Sequence, residues 1–249
     1  MAACVPSSLS ILGVPVTNVD SSDDVVQLIK ERIGSHEPTF CVAINPEKVY
    51  RAGHDPRLHQ TLNSAHVRIC DGVGISLASW LLYGKRLPRC TGIDLFLKLL
   101  HLSARTGWKV FLLGASPEIN EAACRALVKN IPGLMITGSR HGYFDNSLEV
   151  VEDINNSGAD LLFVAMGSPR QEFWISEQMP HLKVSFCMGV GGSLDVVSGT
   201  VKRAPELFRK TGTEWLYRLL VQPSRLRRQV ALPLFAWDTL RAILAFKRA

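Results

Sequence analysis

The sequence has no long apolar run. A membrane-spanning helix needs roughly 18 consecutive apolar residues, and the longest candidates, residues 77–83 and 230–237, reach about half that length. The first residues place no positive charge ahead of an apolar stretch, which argues against a secretory signal. If the protein works at a membrane, we therefore expect it to bind the surface of the bilayer.

Paired cysteines are also lacking. The six cysteines stand at positions 4, 41, 70, 90, 124 and 187 and form no C-x-x-C motif. Cys41 and Cys187 lie in apolar, strand-like runs, where a thiol behaves as a small hydrophobic side chain. Cys70 adjoins Asp71, so it is either a reactive thiol or, as we expect, a buried structural one. This pattern is typical of the cytoplasm rather than of a disulfide-forming compartment.

Metal-binding and dinucleotide-binding motifs are missing as well. The chain contains no D-x-D motif, and none of its seven histidines is four residues from another. We therefore expect a site without metal. No G-x-G-x-x-G motif occurs near the N-terminus, which makes a Rossmann-type oxidoreductase the least favoured enzyme class and implies no cofactor.

Positive charge is scarce outside the C-terminal region. Residues 201–249 contain eleven Lys or Arg against three acids, whereas residues 1–200 contain 17 basic and 19 acidic side chains. A basic chain of this kind could bind nucleic acid, but here the charges alternate with Leu, Phe and Trp. This combination favours an anionic, greasy surface such as a membrane. We place a domain boundary at residue 200, between a core (1–200) and a basic, helical appendage (201–249).

The core predicts an α/β fold. Seven short apolar runs are typical of buried strands: 10–14, Thr39–Ile44, Val67–Cys70, Lys109–Gly114, 134–138, 161–166 and 184–190. Amphipathic stretches of helical length separate most of them, including 23–33, 95–106, Pro117–Asn130 and Ser147–Asn156. This alternation indicates a Rossmann-like parallel sheet flanked by helices. Ser21 or Ser22, Ser116 and Ser168 are expected N-caps, the last two with proline in the first turn.

Polar or glycine-rich clusters follow four of the predicted strands, and parallel sheets bind ligands at the carboxyl ends of their strands. Asn45 follows the second run and Asp71 the third. Asp71 could cap a helix, or it could act as a base that takes a proton from an attacking hydroxyl. The sequence leaves both roles open.

Two further clusters suit phosphate groups. The motif Gly167-Ser-Pro-Arg-Gln-Glu172 predicts a helix whose first turn carries Arg170 and Gln171, although it could be a plain capped helix. The segment 189–195 places Gly191 and Gly192 just before Asp195. Such a turn lets backbone N–H groups approach a diphosphate, and it could equally be a tight turn that needs positive φ angles.

The appendage predicts a helix from Glu214 that stops at Pro223 and restarts at Ser224. Arg225 and Arg228 then lie on one face, and apolar residues follow from Leu232 to Phe246. Such a helix either lies in the membrane interface, drawn by anionic lipids, or packs on the core.

Several of these motifs together resemble the WecG/TagA/CpsF family of bacterial glycosyltransferases. The resemblance covers roughly residues 10–230. It rests on Asn45-Pro-Glu-Lys, Asp71-Gly-Val-Gly, Thr91-Gly-Ile-Asp94, Val164-Ala-Met-Gly-Ser-Pro-Arg-Gln-Glu172, Met188-Gly-Val-Gly-Gly-Ser-Leu-Asp195, Gly199-Thr-Val-Lys-Arg-Ala-Pro205 and Glu214-Trp-Leu-Tyr-Arg-Leu-Leu-Val-Gln-Pro-Ser-Arg225.

The resemblance implies an inverting, metal-independent enzyme that transfers a hexose-type sugar from a UDP-sugar to a polyprenyl-diphosphate-linked sugar at the inner face of the cytoplasmic membrane. It implies a peripheral protein, and a homo-oligomer is compatible with it. Asp71 would be the base, Asn45 would line a substrate pocket, and Gln171 and Asp195 would contact the sugar nucleotide. The arginines facing diphosphate would be Arg218, Arg225 and Arg228.

The sugar stays open at this point. N-acetylmannosamine, its uronic acid and glucose, the last passed to a lipid-linked glucose for exopolysaccharide, would all fit the resemblance. Some relatives carry threonine where this chain has Ala43, so the role of that position does not transfer. The alternative from another class, a basic nucleic-acid-binding protein, lacks the exposed aromatic sheet motifs of common RNA binders.

Overall fold

The computed structural model describes residues 7–35, 37–221 and 226–246. Its centre is a six-stranded parallel sheet, and a two-stranded hairpin lies beside it. The hairpin comprises β1 (Ser8–Ile11) and β2 (Val14–Thr17), and the sheet comprises β3 (Thr39–Ile44), β4 (Val67–Cys70), β5 (Lys109–Gly114), β6 (Met135–Arg140), β7 (Leu161–Ala165) and β8 (Phe186–Gly189). The sheet order is β4-β3-β8-β7-β5-β6. The predicted α/β class and parallel sheet are confirmed.

Helices fill the connections on both faces of this sheet. In chain order they are α1 (Ser22–Gly34), α2 (Pro46–Ala52), α3 (Pro56–Ser64), α4 (Val73–Tyr83), α5 (Gly92–Thr106), α6 (Pro117–Asn130), α7 (Ser147–Asn156), α8 (Arg170–Gln178), α9 (Ser193–Val197), α10 (Glu206–Thr211), α11 (Glu214–Val221), α12 (Leu226–Gln229) and α13 (Ala231–Phe246). A short 3₁₀ helix, Met179–His181, follows α8.

The hydrophobic core lies on both faces of the sheet. All six residues of β3 are buried, and they alternate between two apolar clusters. Phe40 and Val42 belong to one cluster, whereas Cys41 and Ala43 belong to the other. Because successive side chains of a strand point to opposite faces, a strand covered by helices on both sides is apolar throughout.

The first predicted strand, residues 10–14, is wrong. Its centre is the turn of the β1–β2 hairpin, where Leu12 and Gly13 both have positive φ angles. Two-residue hairpin loops favour positive φ because their twist then matches that of the strands. A leucine at the first of these positions gives no turn signal in the sequence, so the run looked like one continuous strand.

Two of the three predicted helix starts are confirmed. Ser21 caps α1 in a reciprocal capping box with Asp24, and the Ser116 hydroxyl accepts from the backbone N–H of Ile119 at the start of α6. The third is wrong, because α8 begins only at Arg170 and no side chain caps it. Pro169 holds the N-cap position, and its ring offers no acceptor for a backbone N–H.

The C-terminal region packs on the core. Helix α13 lies against α2 and α4, and its Phe235 is buried in one of the two core clusters. Arg203 forms an ion pair with Asp94 at the start of α5. The division of the chain into a core and an appendage at residue 200 stays a prediction.

Candidate active site

A cleft of about 630 Å³ opens at the carboxyl ends of β3, β4, β7 and β8. Asn45 lines it from the end of β3, Asp71 from the end of β4 and Gly191 from the end of β8. Gly167 and Ser168 line it after β7. The four predicted strand-end clusters thus contribute to one site, as the rule for open parallel sheets requires.

Asp71 stands directly after β4, and its backbone N–H donates to the carbonyl of Ile44 at 2.8 Å. The other role that the sequence left open, a cap for the next helix, is wrong. Gly72 holds the N-cap position of α4 with a φ of 105°, and no side chain caps that helix. The carboxylate points across the cleft toward α5, where its Oδ2 atom would lie 3.9 Å from a Cβ atom built on Gly92. Asp71 therefore faces the cleft from the end of β4, with its carboxylate near the N-terminus of α5, where a helix dipole favours negative charge.

Asn45 combines two roles. Its Oδ1 atom accepts a hydrogen bond of 2.9 Å from the backbone N–H of Lys48 and so caps α2. The same side chain lines the cleft. The cap fixes its orientation, because a capping side chain must point back at the first turn of its helix.

Gln171 is buried and holds the glycine turn after β8. Its Oε1 atom accepts from the backbone N–H of Gly191 at 2.9 Å. A Cβ atom at Gly189 would lie 2.4 Å from Gln171 Nε2, so only glycine permits this close approach. Gly191 has a φ of 52°, in the left-handed region that favours glycine. The glycine turn therefore has both predicted features: a positive φ angle and a position in the cleft lining.

A buried ion pair between Lys48 and Glu172 holds Gln171 through a hydrogen bond. Lys48 Nζ lies 2.8 Å from Glu172 Oε1 and donates to the carbonyl of Ala43 at 2.8 Å. Gln171 Nε2 donates to the same Glu172 oxygen at 2.9 Å. Burial by itself would raise the pKa of Glu172, but the Lys48 charge and the hydrogen bonds from Lys48 and Gln171 hold that pKa below its usual value. The chain of contacts connects the ends of β3 and β8 through α8.

Arg89 is a cleft residue that the sequence did not single out. Its guanidinium is half-buried, lines the cleft and donates to the backbone carbonyl of Arg209 in α10. Among the described lining residues, Arg89 and Lys48 carry the positive charges. Arg89 lies in the irregular segment between α4 and α5, where no periodic pattern marks a functional side chain. Its position between two glycine-flanked motifs is the only signal that the sequence offered.

Two predicted site residues lie outside the cleft lining. Arg170 is exposed and donates to the carbonyl of Gly142 at 3.2 Å. Asp195 lies in the first turn of α9, with Oδ2 3.4 Å from a Cβ atom built on Gly192. Gly192 does line the cleft. Asp195 therefore lies beside the glycine turn, whereas Arg170 contacts the segment that follows β6.

The predicted arginines of the appendage are only partly within the described chain. Arg225 lies outside the described residues, and Arg218 and Arg228 belong to α11 and α12 with side chains outside the description. The appendage nevertheless closes one side of the cleft. Helices α11, α12 and α13 line it with Glu214, Trp215, Gln229, Leu232, Phe235, Ala236, Thr239 and Leu240.

The cysteines near the site are structural. Cys70 and Cys90 are buried, and burial raises the pKa of each thiol to about 12, with the charge of Asp71 adding to the effect. A thiol with such a pKa is almost entirely protonated at neutral pH and is a poor nucleophile. The expectation of a buried thiol at Cys70 is confirmed.

Within the ranges that the structure describes, no helix is long and apolar enough to cross a membrane. In those same ranges, no group of three or more His, Cys, Asp or Glu side chains could hold a metal ion.

Comparison with known proteins identifies the chain. Residues 9–249 match the profile of the glycosyl transferase WecG/TagA/CpsF family. A relative from Bacillus spizizenii is 34% identical over 240 residues, which cover 94% of this chain and 92% of the relative. Relatives from Staphylococcus aureus strains MRSA252 and NCTC 8325 are each 36% identical over 247 residues, which cover 98% of this chain and 96% of the relative. All three are named N-acetylglucosaminyldiphosphoundecaprenol N-acetyl-beta-D-mannosaminyltransferase. The chain belongs to the WecG/TagA/CpsF family of glycosyl transferases.

Proposed function

We propose that this protein transfers N-acetylmannosamine from a UDP-sugar to N-acetylglucosamine linked through diphosphate to a polyprenol, at the inner face of the cell membrane. The relatives' activity supplies the sugar and the acceptor. The observation that carries the proposal is the single cleft that joins Asp71 to the glycine turn held by Gln171. A base and a glycine turn that lets a diphosphate come close to the backbone are the two parts that such a transfer needs.

The proposed chemistry is a single displacement that inverts the anomeric carbon. A hydroxyl oxygen of the acceptor attacks the anomeric carbon from the face opposite UDP. The new C–O bond forms as the bond from that carbon to the UDP oxygen breaks, and the hydroxyl proton passes to Asp71. UDP leaves with the bonding electron pair.

Negative charge then develops on the departing diphosphate. Arg89 lines the cleft and is the described guanidinium best placed to balance this charge. Arg218, Arg225 and Arg228 would add to it from the appendage, as the family resemblance implies. Preorganised cations of this kind stabilise a transition state without reorganising during the reaction.

The test is a donor screen read by mass spectrometry. The purified protein receives prenyl-diphospho-N-acetylglucosamine and, in separate reactions, UDP-N-acetylmannosamine, UDP-N-acetylmannosaminuronic acid or UDP-glucose. We expect the product mass to rise by one N-acetylhexosamine with the first donor. A product formed only with the uronic acid or only with glucose would replace the proposed sugar, and an absence of product with all three would refute the proposal.

A further inference from the structure

Part of the lining of the active-site cleft is apolar, and this apolar wall is built from leucines of two helices. Leu77 and Leu81 of α4 line it on one side, and Leu232 and Leu240 of α13 line it on the other. Leu77 is 44% exposed, Leu81 43% and Leu240 51%. These leucines are open to solvent within the same cleft that contains Asp71.

Helical spacing extends this wall to the protein surface. Leu77 and Leu81 are four residues apart, as are Leu240 and Leu244, so each pair lies on one face of its helix. Trp80, one turn from Leu77, is also exposed, and so is Leu244. We call the path between these two faces the α4–α13 groove. It runs from the cleft outward along two packed helices.

Along α13, in the part of the chain that the structure describes, no buried side-chain polar atom lacks a hydrogen-bond partner. Thr239 is buried, and its hydroxyl donates to the carbonyl of Phe235 at 2.8 Å within the helix. Phe235 itself anchors α13 in the core. Helix α13 is therefore anchored to the core, which holds its leucines in place. Large exposed apolar patches of this kind usually mark a binding site.

We propose that the α4–α13 groove binds the first isoprene units of the acceptor's polyprenyl chain while its diphosphate lies in the polar part of the cleft. The inference rests on the proposed function. The groove is continuous with the cleft, and the relatives act on a sugar attached through diphosphate to undecaprenol. A branched hydrocarbon that leaves the diphosphate must follow an apolar path to the membrane, and this groove supplies one. The core helix α4 is thus part of the lipid site together with the appendage.

The experiment measures how much the enzyme gains from a longer prenyl chain. Transfer to acceptors with a 20-carbon and a 5-carbon prenyl group is compared at one detergent concentration. The test variant is Leu77→Gln/Leu81→Gln, which makes the α4 side polar. The control is Val128→Gln/Leu148→Gln, which changes two exposed residues (53% and 67%) on α6 and α7 that do not line the cleft.

We expect the ratio of kcat/KM for the 20-carbon acceptor over the 5-carbon acceptor to fall at least tenfold in the test variant. The control should keep the wild-type ratio. An unchanged ratio in the test variant would overturn the proposal, even if both rates fell. A shift in sedimentation velocity with an unchanged ratio would also overturn it, and would assign the groove to contact between two copies of the chain.

A binding measurement separates the groove from the proposed function. Geranylgeranyl diphosphate, which carries no sugar, is titrated into wild type and both variants by calorimetry. We expect affinity to fall at least tenfold only in Leu77→Gln/Leu81→Gln. Equal affinity in all three proteins would refute the groove whether or not transfer occurs, whereas selective loss without any transfer in wild type would refute the proposed function alone.

Discussion

Asp71 lines the cleft directly after β4, and its side chain does not cap the next helix. Gly72 occupies the N-cap position of α4, and the carboxylate of Asp71 lies in the cleft near the start of α5. Removing a general base typically costs about 10²–10⁴ in rate. We expect Asp71→Asn to lower kcat by that factor, while the Kd for UDP measured by calorimetry stays within about twofold.

Asp23→Asn serves as the matched control, because Asp23 is an exposed carboxylate on α1 that does not line the cleft. It should transfer sugar at the wild-type rate. Turnover by Asp71→Asn close to wild type would remove Asp71 from the mechanism, and equal losses in kcat and UDP affinity would assign it a binding role.

Glu172 accepts a hydrogen bond from Gln171, which in turn accepts one from the glycine turn. Losing the partner of a buried charge costs about 3–5 kcal/mol, so Glu172→Gln should lower the free energy of unfolding in urea at pH 7 by that amount. The pKa of Glu172 is held below its usual value in the folded protein. Its contribution to stability is therefore present above the unfolded pKa and is lost as pH falls through the lowered folded pKa. The difference in the free energy of unfolding between wild type and Glu172→Gln should become smaller in that acid range.

The double variant Lys48→Met/Glu172→Leu separates stability from positioning. Replacing both members of a buried pair with apolar residues is often neutral or stabilising, so this variant should recover stability. Gln171 would lack its acceptor in this variant, so the donor KM should be higher than in wild type while kcat changes less. A wild-type donor KM in the double variant would show that the pair only stabilises the fold.

At the scale of elements, the site depends on how closely α8 approaches the end of β8. A Cβ atom at Gly189 would lie 2.4 Å from Gln171 Nε2, so Gly189→Ala must push the amide away from the glycine turn. Overpacking of this kind costs about 1–3 kcal/mol. We expect the donor KM to rise at least tenfold. Gly34→Ala is the control, since no atom lies within 4 Å of its added Cβ. A normal donor KM in Gly189→Ala would mean that the turn does not bind the donor.

The buried strands could be predicted from the sequence because burial on both faces leaves a continuous apolar run. β3, β4 and β5 have the predicted bounds. The short helices α2 and α3 escaped prediction because each has fewer than three turns, too few for a clear helical period. Arg89 escaped because its role arises from tertiary contacts with α10 rather than from a local pattern.

The same contrast holds within the site. Asn45, Asp71 and Gly191 could be predicted because the ends of parallel strands share one edge. The support of Gln171 by Lys48 and Glu172 could not, because it joins segments more than 120 residues apart through side-chain geometry.

For the whole molecule, core and appendage share one site. Trp215 and Gln229 line the same cleft as Asp71, and Arg203 and Phe235 attach the C-terminal region to the core. Substrate charge is therefore expected to be met by side chains from both parts.

Catalysis is expected to proceed without a divalent metal, as the family resemblance implies and the missing D-x-D motif suggests. Transfer measured in excess EDTA should keep most of its initial rate, because guanidinium groups would balance the diphosphate charge. Dialysis against the chelator before the assay serves as a control for slow metal release. Full loss of activity, restored by Mg²⁺ or Mn²⁺, would contradict this prediction.

Membrane binding should depend on the charges of the appendage. Each basic side chain near an anionic bilayer contributes about 1 kcal/mol and is screened beyond roughly 8–10 Å at physiological salt. Flotation with vesicles containing anionic lipid should therefore weaken as salt rises, and neutral vesicles should bind much less. Replacing Lys202, Lys210 and Arg241 with Gln should reduce partitioning by roughly 100-fold at low salt.

The matched control removes the same net charge from the core through Arg125→Gln, Lys129→Gln and Lys183→Gln, all exposed positions outside the cleft lining. If net charge alone governed binding, both triple variants would lose the same fraction of their partitioning onto anionic vesicles. A larger loss in the appendage variant would locate the membrane contact there, because screening limits attraction to charges within about one Debye length of the lipid headgroups. Equal losses, or binding to neutral vesicles that salt does not weaken, would contradict an electrostatic role for the appendage.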